Sequence, residues 1–151
     1  MRKSVLITTL LAGTLDIVAA CIHAYVANGV TPAQVLTYIA SGLLGKAAYS
    51  GGIEVQLLGL AAHYLIAFAC TFSFYWAYPK WRMLHISTAL NAFLICITAW
   101  LVTTQVVVRF SYIGLQPVIT SKALIAIAIL FVCIGLPIAW RAGQYFKRKD
   151  L

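Results

Sequence analysis

Apolar residues along this chain gather into four long runs, at roughly 5–26, 55–78, 86–108 and 123–140, separated by short polar or basic stretches. Each run is close to the ~20 residues a helix needs to cross the hydrocarbon core of a bilayer. Between the first two lies a segment of different character, "TPAQVLTYIASGLLGKAAYSGG". Thr31 suits an N-cap, Pro32 the first helical position, and Gln34 completes a capping box. Val35, Ile39 and Leu43 share one face, while Gln34, Thr37, Ser41 and Lys46 fall largely elsewhere. That is the pattern of an amphipathic helix, at about 32–50, lying in the interface or dipping in re-entrantly. Gly51 and Gly52 break it before the second run. The pattern predicts an all-α fold: one polytopic membrane domain over residues 1–151, a four-helix bundle with an additional helix between spans one and two.

Composition sharpens this. Hydrophobic residues make up 63% of the chain and charged residues 9%, with a mean hydropathy of +0.95. A soluble domain carries about 25% charged residues, and a chain this small has too little interior to hide so much apolar surface. The expected solvent for most of it is the lipid bilayer.

Charge sets the orientation. With the N-terminus inside, the inner segments hold Arg2, Lys3, Lys80, Arg82, Arg141, Lys147, Arg148 and Lys149, and the outer side holds Lys46, Arg109 and Lys122. Eight against three obeys the positive-inside rule. A fifth span over 32–50 would put Lys80 and Arg82 on the opposite side from the basic tail, and is rejected. The net charge of +8 therefore reads as topology signal and lipid-headgroup contact, and implies no nucleic-acid partner. Trp76, Tyr78, Trp81 and Trp140 fall near the predicted inner interface as an aromatic belt. The expected location is a bacterial inner (plasma) membrane, with both termini cytoplasmic. "MRK" before an apolar stretch resembles a signal peptide, and "VAAC" at 18–21 a lipoprotein cleavage site, but Asp16 inside the apolar region argues that the segment is retained.

Motif chemistry is sparse. Cys21, Cys70, Cys96 and Cys133 fall one per span, without C-x-x-C or a Cys/His cluster at metal-ligand spacing, and read as small packing residues. There is no phosphate-binding glycine loop and no nucleophile elbow or zincin motif. His23 and His63 differ in predicted depth by ~9 Å, and His85 sits on the inner side, so no pair is level for haem. No catalytic residue, metal or cofactor is expected, and an enzyme is the weakest of the readings considered.

Asp16 is the anomaly. It is one of three acidic residues in the chain, in the middle of the first span. Ten Leu, Ile and Val residues between Val5 and Val26 contribute roughly −3 to −6 kcal/mol to insertion, against roughly 2.5–3.5 for a central Asp. The span inserts, but such a residue usually faces a bundle interior or a wet cavity and has a partner. Counted from the outer ends of their spans, Asp16 and His63 both lie ~14–15 Å deep, and consecutive spans are usually neighbours. The two are expected to meet as an intramembrane polar pair. Thr9, Gly13, Asp16, Ala20 and His23 share a face of the first span, and Gln56, Gly59, His63, Ala67 and Cys70 a face of the second. The third adds Ser87, Asn91, Thr98, Gln105 and Arg109. A polar path through His23, Glu54, Gln56, Gln105 and Arg109 is one reading, with His63 beside a carboxylate supplying proton-relay chemistry. A satisfied pair that fixes helix register is another, and a ligand site a third. The fourth span is nearly apolar, and is expected to be the most lipid-facing or to meet another subunit.

"AGTLDI" at 12–17, "IASGLLG" at 39–45, the Gly51-Gly52 pair and "LGLAAH" at 58–63 resemble a family of small uncharacterised four-span bacterial inner-membrane proteins. In that family A-G-T-x-D-I and L-G-L-x-x-H fall in the first two spans, with I-A-S-G-L-L-G between. The match covers about the first 80 residues, and the order and spacing of its motifs make it fairly specific. The second half departs: "PKWRMLHISTALN" lacks glycines after Pro79, and "VVVRFSYIG" lacks a proline at the end of the third span. The resemblance implies architecture and the importance of Asp16, Gly42, Gly45, Gly51, Gly52, Gly59 and His63, and supplies no activity. With Gly13, these glycines are expected to pack helices closely. Two functions stay open: a small transporter or channel-like protein, oligomeric and proton- or ion-linked, and a non-catalytic accessory or structural subunit of a larger membrane complex.

Overall fold

The computed structural model describes residues 1–103 and 120–148, and every regular element among them is helical. In order these are α1 (Arg2–Asn28), α2 (Pro32–Leu44), a 3-10 turn (Gly45–Ser50), α3 (Ile53–Ala77), a short 3-10 turn (Arg82–His85), α4 (Thr88–Leu101), α5 (Thr120–Leu130), a π turn (Phe131–Gly135) and α6 (Leu136–Lys147). Three helices are long and apolar enough to cross a membrane: Arg2–Asn28, Ile53–Ala77 and the continuous Leu124–Lys147. The apolar run that α4 begins passes beyond the described residues after 103, so Gln105 and Arg109 lie outside them.

The core is mainly apolar but holds a few polar side chains, and many large apolar side chains lie on the outside. Thr8, Thr9, Thr71 and Asn91 are buried, while Leu6, Leu10, Ile22, Val26, Leu65 and Phe72 are exposed. Such an outer face suits an apolar solvent, because in water each large exposed side chain forgoes roughly 1.5–3 kcal/mol of burial.

Helix ends follow their local sequence. At the start of α2 the capping box forms as its residues dictate. Gln34 N–H donates to the Thr31 hydroxyl at 3.4 Å, and Thr31 N–H donates to Gln34 Oε1 at 2.8 Å. At thirteen residues α2 is ~20 Å long, too short to cross a bilayer core of about 30 Å. It ends at Gly45, whose φ of +61° few side chains tolerate. Pro137 disrupts the last helix in a graded way. Proline has no N–H and crowds the carbonyl four residues back. The ladder loosens just before it into a π turn, in which Leu136 N–H donates to the Phe131 carbonyl.

The bundle closes where the start of α1 and the end of α6 come together. Tyr75, near the end of α3, is fully buried; its hydroxyl lies 3.1 Å from Ser4 Oγ and 3.0 Å from Thr8 Oγ1 on α1. Its ring packs against Tyr145 and Phe146 of α6. The start of α1, the end of α3 and the end of α6 therefore meet at one end of the molecule. The fourth apolar run leaves most of its surface exposed, as α3 does and more than α1, and its inner face, with Ile134, Ile138, Ala139 and Ala142, is buried against α1 and α4. Small side chains spaced four apart, and the close seat of Gly135 on the Ala92 backbone, draw it inward.

Candidate functional site

Two close crossings build the site. Gly13 of α1 sits against Tyr64 and Ala67 of α3, where a Cβ would lie 2.9 Å from the Tyr64 ring. Gly59 of α3 carries the α2 backbone directly on it, where a Cβ would overlap the Leu36 carbonyl and come within 3.2 Å of Ala40 N. The first crossing aligns α1 with α3; the second lays α2 across them. The other glycines do different work. Gly42 lines the site described below, Gly45 turns the chain, and the space beside Gly51 is filled by the Val55 side chain. Gly52 N–H donates to Glu54 Oε1 at 3.3 Å.

Level with the first crossing, Thr14 Oγ1 and the Tyr64 hydroxyl are hydrogen-bonded at 2.7 Å. His63 Nε2–H donates to the carbonyl of Gly13 at 2.9 Å. This is where the sequence expectation and the structure part. Among the described residues no hydrogen bond or ion pair joins Asp16 to His63. The ring's N–H is committed to a backbone carbonyl one helical turn before Asp16. Counting residues from the span ends cannot foresee a carbonyl as a competing acceptor. The imidazole remains within electrostatic reach of the carboxylate, as do Cys70 of α3 and Cys133 of the π turn.

Asp16 and His63 instead share a cavity of about 550 Å³. His23 also lines it, one stripe further along α1 through Ala20. The α2 face made by Tyr38, Ile39, Gly42 and Leu43 covers it, and α4 contributes Ala99, Trp100 and Thr103. Of the expected polar path, Asp16, His63 and His23 are thus brought together. Glu54 is exposed and bonded to Gly52, and neither it nor Gln56 is among the described residues that line the cavity. Tyr38 and Trp100 escaped the sequence reading, because an aromatic residue in an apolar run carries no sign of which face it takes. The four cysteines are free thiols, and among the described residues no group of three or more His, Cys, Asp or Glu side chains is arranged to hold a metal ion.

A cycle of single and double substitutions tests whether the shared cavity couples the two groups. Asp16→Asn and His63→Gln are expected to be non-additive in thermal stability in detergent, with a coupling on the order of 0.5–2 kcal/mol. Strict additivity would show that each answers to its own surroundings.

Comparison with family models, with characterised proteins and with solved structures finds no match to this chain.

Proposed function

We propose that this chain is a four-span integral protein of a bacterial inner membrane, with both termini in the cytoplasm and the architecture of the family its first half resembles. In it, Asp16 and His63 form the proton- or ion-linking site of a small transporter or channel-like protein that works as an oligomer. The observation that carries this reading is the shared cavity. A pair that only fixes helix register closes on itself and excludes space; here the carboxylate and the imidazole open onto the same 550 Å³. An imidazole beside a carboxylate at membrane depth is the chemistry of a proton relay. The seating of α2 over the cavity supports a cover on the outer side, and the meeting of the start of α1 with the end of α6 beside Tyr75 supports a common side for the termini.

The topology has a direct check. In a cysteine-free background, single cysteines at 81 and 147 should react only from the cytoplasm and one at 47 only from outside. All three positions are exposed. Reaction of position 81 from outside would overturn the four-span arrangement.

The linkage is tested in sealed vesicles containing the purified protein and a trapped pH dye, with an imposed potassium diffusion potential. Asp16→Asn should slow proton entry about tenfold or more, the effect of removing a relay group worth only ~1.4 kcal/mol of barrier. Unchanged proton entry in this variant favours the competing reading, a docking subunit whose polar pair is structural.

A further inference from the structure

The cavity has an uneven chemistry. Its walls are mostly aliphatic, with Ala20, Ile39, Leu43, Ala62, Ile66 and Ile129 from four different helices. Asp16 is the sole acid among the described residues that line it, and no lysine or arginine stands among them. His63 has committed one ring nitrogen to Gly13. Among the described residues that line the cavity, only His23 and His63 could offer the carboxylate a positive charge, and a carboxylate in apolar surroundings either holds a proton or pairs with a cation.

A small inorganic cation fits poorly. It would exchange a full shell of oxygen ligands for one carboxylate and a few hydroxyls. A cation with diffuse charge and an apolar body has little hydration to lose, and it would bury that body against the aliphatic walls. Tyr38 and Trp100 stand in the same wall, and aromatic rings attract such charges. The volume falls in the range that encloses a drug-sized ligand, about 300–1,000 Å³.

We infer that the Asp16 cavity binds a lipophilic organic monocation, an aromatic or quaternary onium ion, with the Asp16 carboxylate as its counter-ion. The inference rests on the proton-linked reading above and names the substrate class of that site. The exchange balances simply: a protonated Asp16 releases one proton, and the carboxylate that remains pairs with the incoming cation. His63 lines the same cavity.

Two probes of equal shape and opposite charge decide it. Tetraphenylphosphonium and tetraphenylborate are titrated calorimetrically into the full-length protein in detergent, in two buffers of different ionisation heat so that proton release is counted. Tetraphenylphosphonium should bind about tenfold tighter than tetraphenylborate, or more, the scale of a charge-assisted contact. Asp16→Asn should erase that preference, while Asp16→Glu retains it. Ala126→Trp, which fills the cavity and leaves the carboxylate in place, should weaken binding of the phosphonium; it keeps the test decisive if Asp16→Asn elutes as aggregate. Equal affinity for the two probes, or phosphonium binding indifferent to both Asp16→Asn and Ala126→Trp, overturns the proposal and leaves a merely greasy cavity. Charge-selective, Asp16-dependent binding without proton release upholds the cation site while removing its proton linkage. Asp16-dependent proton entry in vesicles with no charge preference here does the reverse.

Discussion

Replacing Gly59 by alanine is expected to destabilise the protein by about 2 kcal/mol and to lift α2 off α3. The added Cβ has nowhere to go. It would overlap the Leu36 carbonyl oxygen and lie 2.9 Å from the Leu36 carbonyl carbon and 3.2 Å from Ala40 N. These are backbone atoms in the middle of a helix, so no rotamer change relieves the overlap, and forced overpacking typically costs about 1–3 kcal/mol. Because α2 covers the cavity with Tyr38, Ile39, Gly42 and Leu43, the same change should make the cavity accessible to a water-soluble thiol reagent through Cys70. Gly143→Ala in α6 is the matched control. Its Cβ would meet only the Tyr78 hydroxyl, at an ordinary 3.6 Å. There the helix should gain up to about 1 kcal/mol from the better helix former. Thermal unfolding of both variants in the same detergent checks the pair, and equal midpoints for the two would mean that α2 does not ride on Gly59.

The largest loss is expected at the other end of the bundle. Tyr75→Ala should cost about 3–5 kcal/mol, the range for removing a large buried aromatic side chain. Tyr75 is fully buried, touches Tyr145 and Phe146, and ties α1 to α3 through Ser4 and Thr8. Tyr75→Phe separates packing from hydrogen bonding. It should cost only about 1 kcal/mol, since the Thr8 hydroxyl can turn back to the carbonyl of its own preceding helical turn. Denaturant titration of both variants measures the two terms. If Tyr75→Phe loses as much as Tyr75→Ala, the hydroxyl rather than the ring joins the three chain segments, and the aromatic packing with α6 contributes little.

The sequence by itself marked the helices, but not all of their ends: the helix expected over 32–50 stops at Leu44, and the last one runs past 140 to Lys147. The apolar runs mark four spans, of which three are helices long and apolar enough to cross a membrane among the described residues, and Thr31, Pro32 and Gln34 fix the start of α2. Each of these depends on residues within one or two turns of each other, which is why the sequence shows them. It also marked Asp16 and His63, because a charge in an apolar run is conspicuous wherever the helix turns. What it could not supply is what His63 binds. Depth along two helices gives a level, but not a rotation or a competing acceptor, and the Gly13 carbonyl is available only because Gly13 lets α3 come close. The covering role of α2 was likewise hidden. An amphipathic pattern gives a helix two faces, and only the seat on Gly59 decides that Tyr38 and Leu43 turn toward Asp16. The burial of Ile134, Ile138 and Ala142 was beyond reach for the same reason: in a helix that is apolar all round, composition marks no inner face, and contact with neighbouring helices selects one.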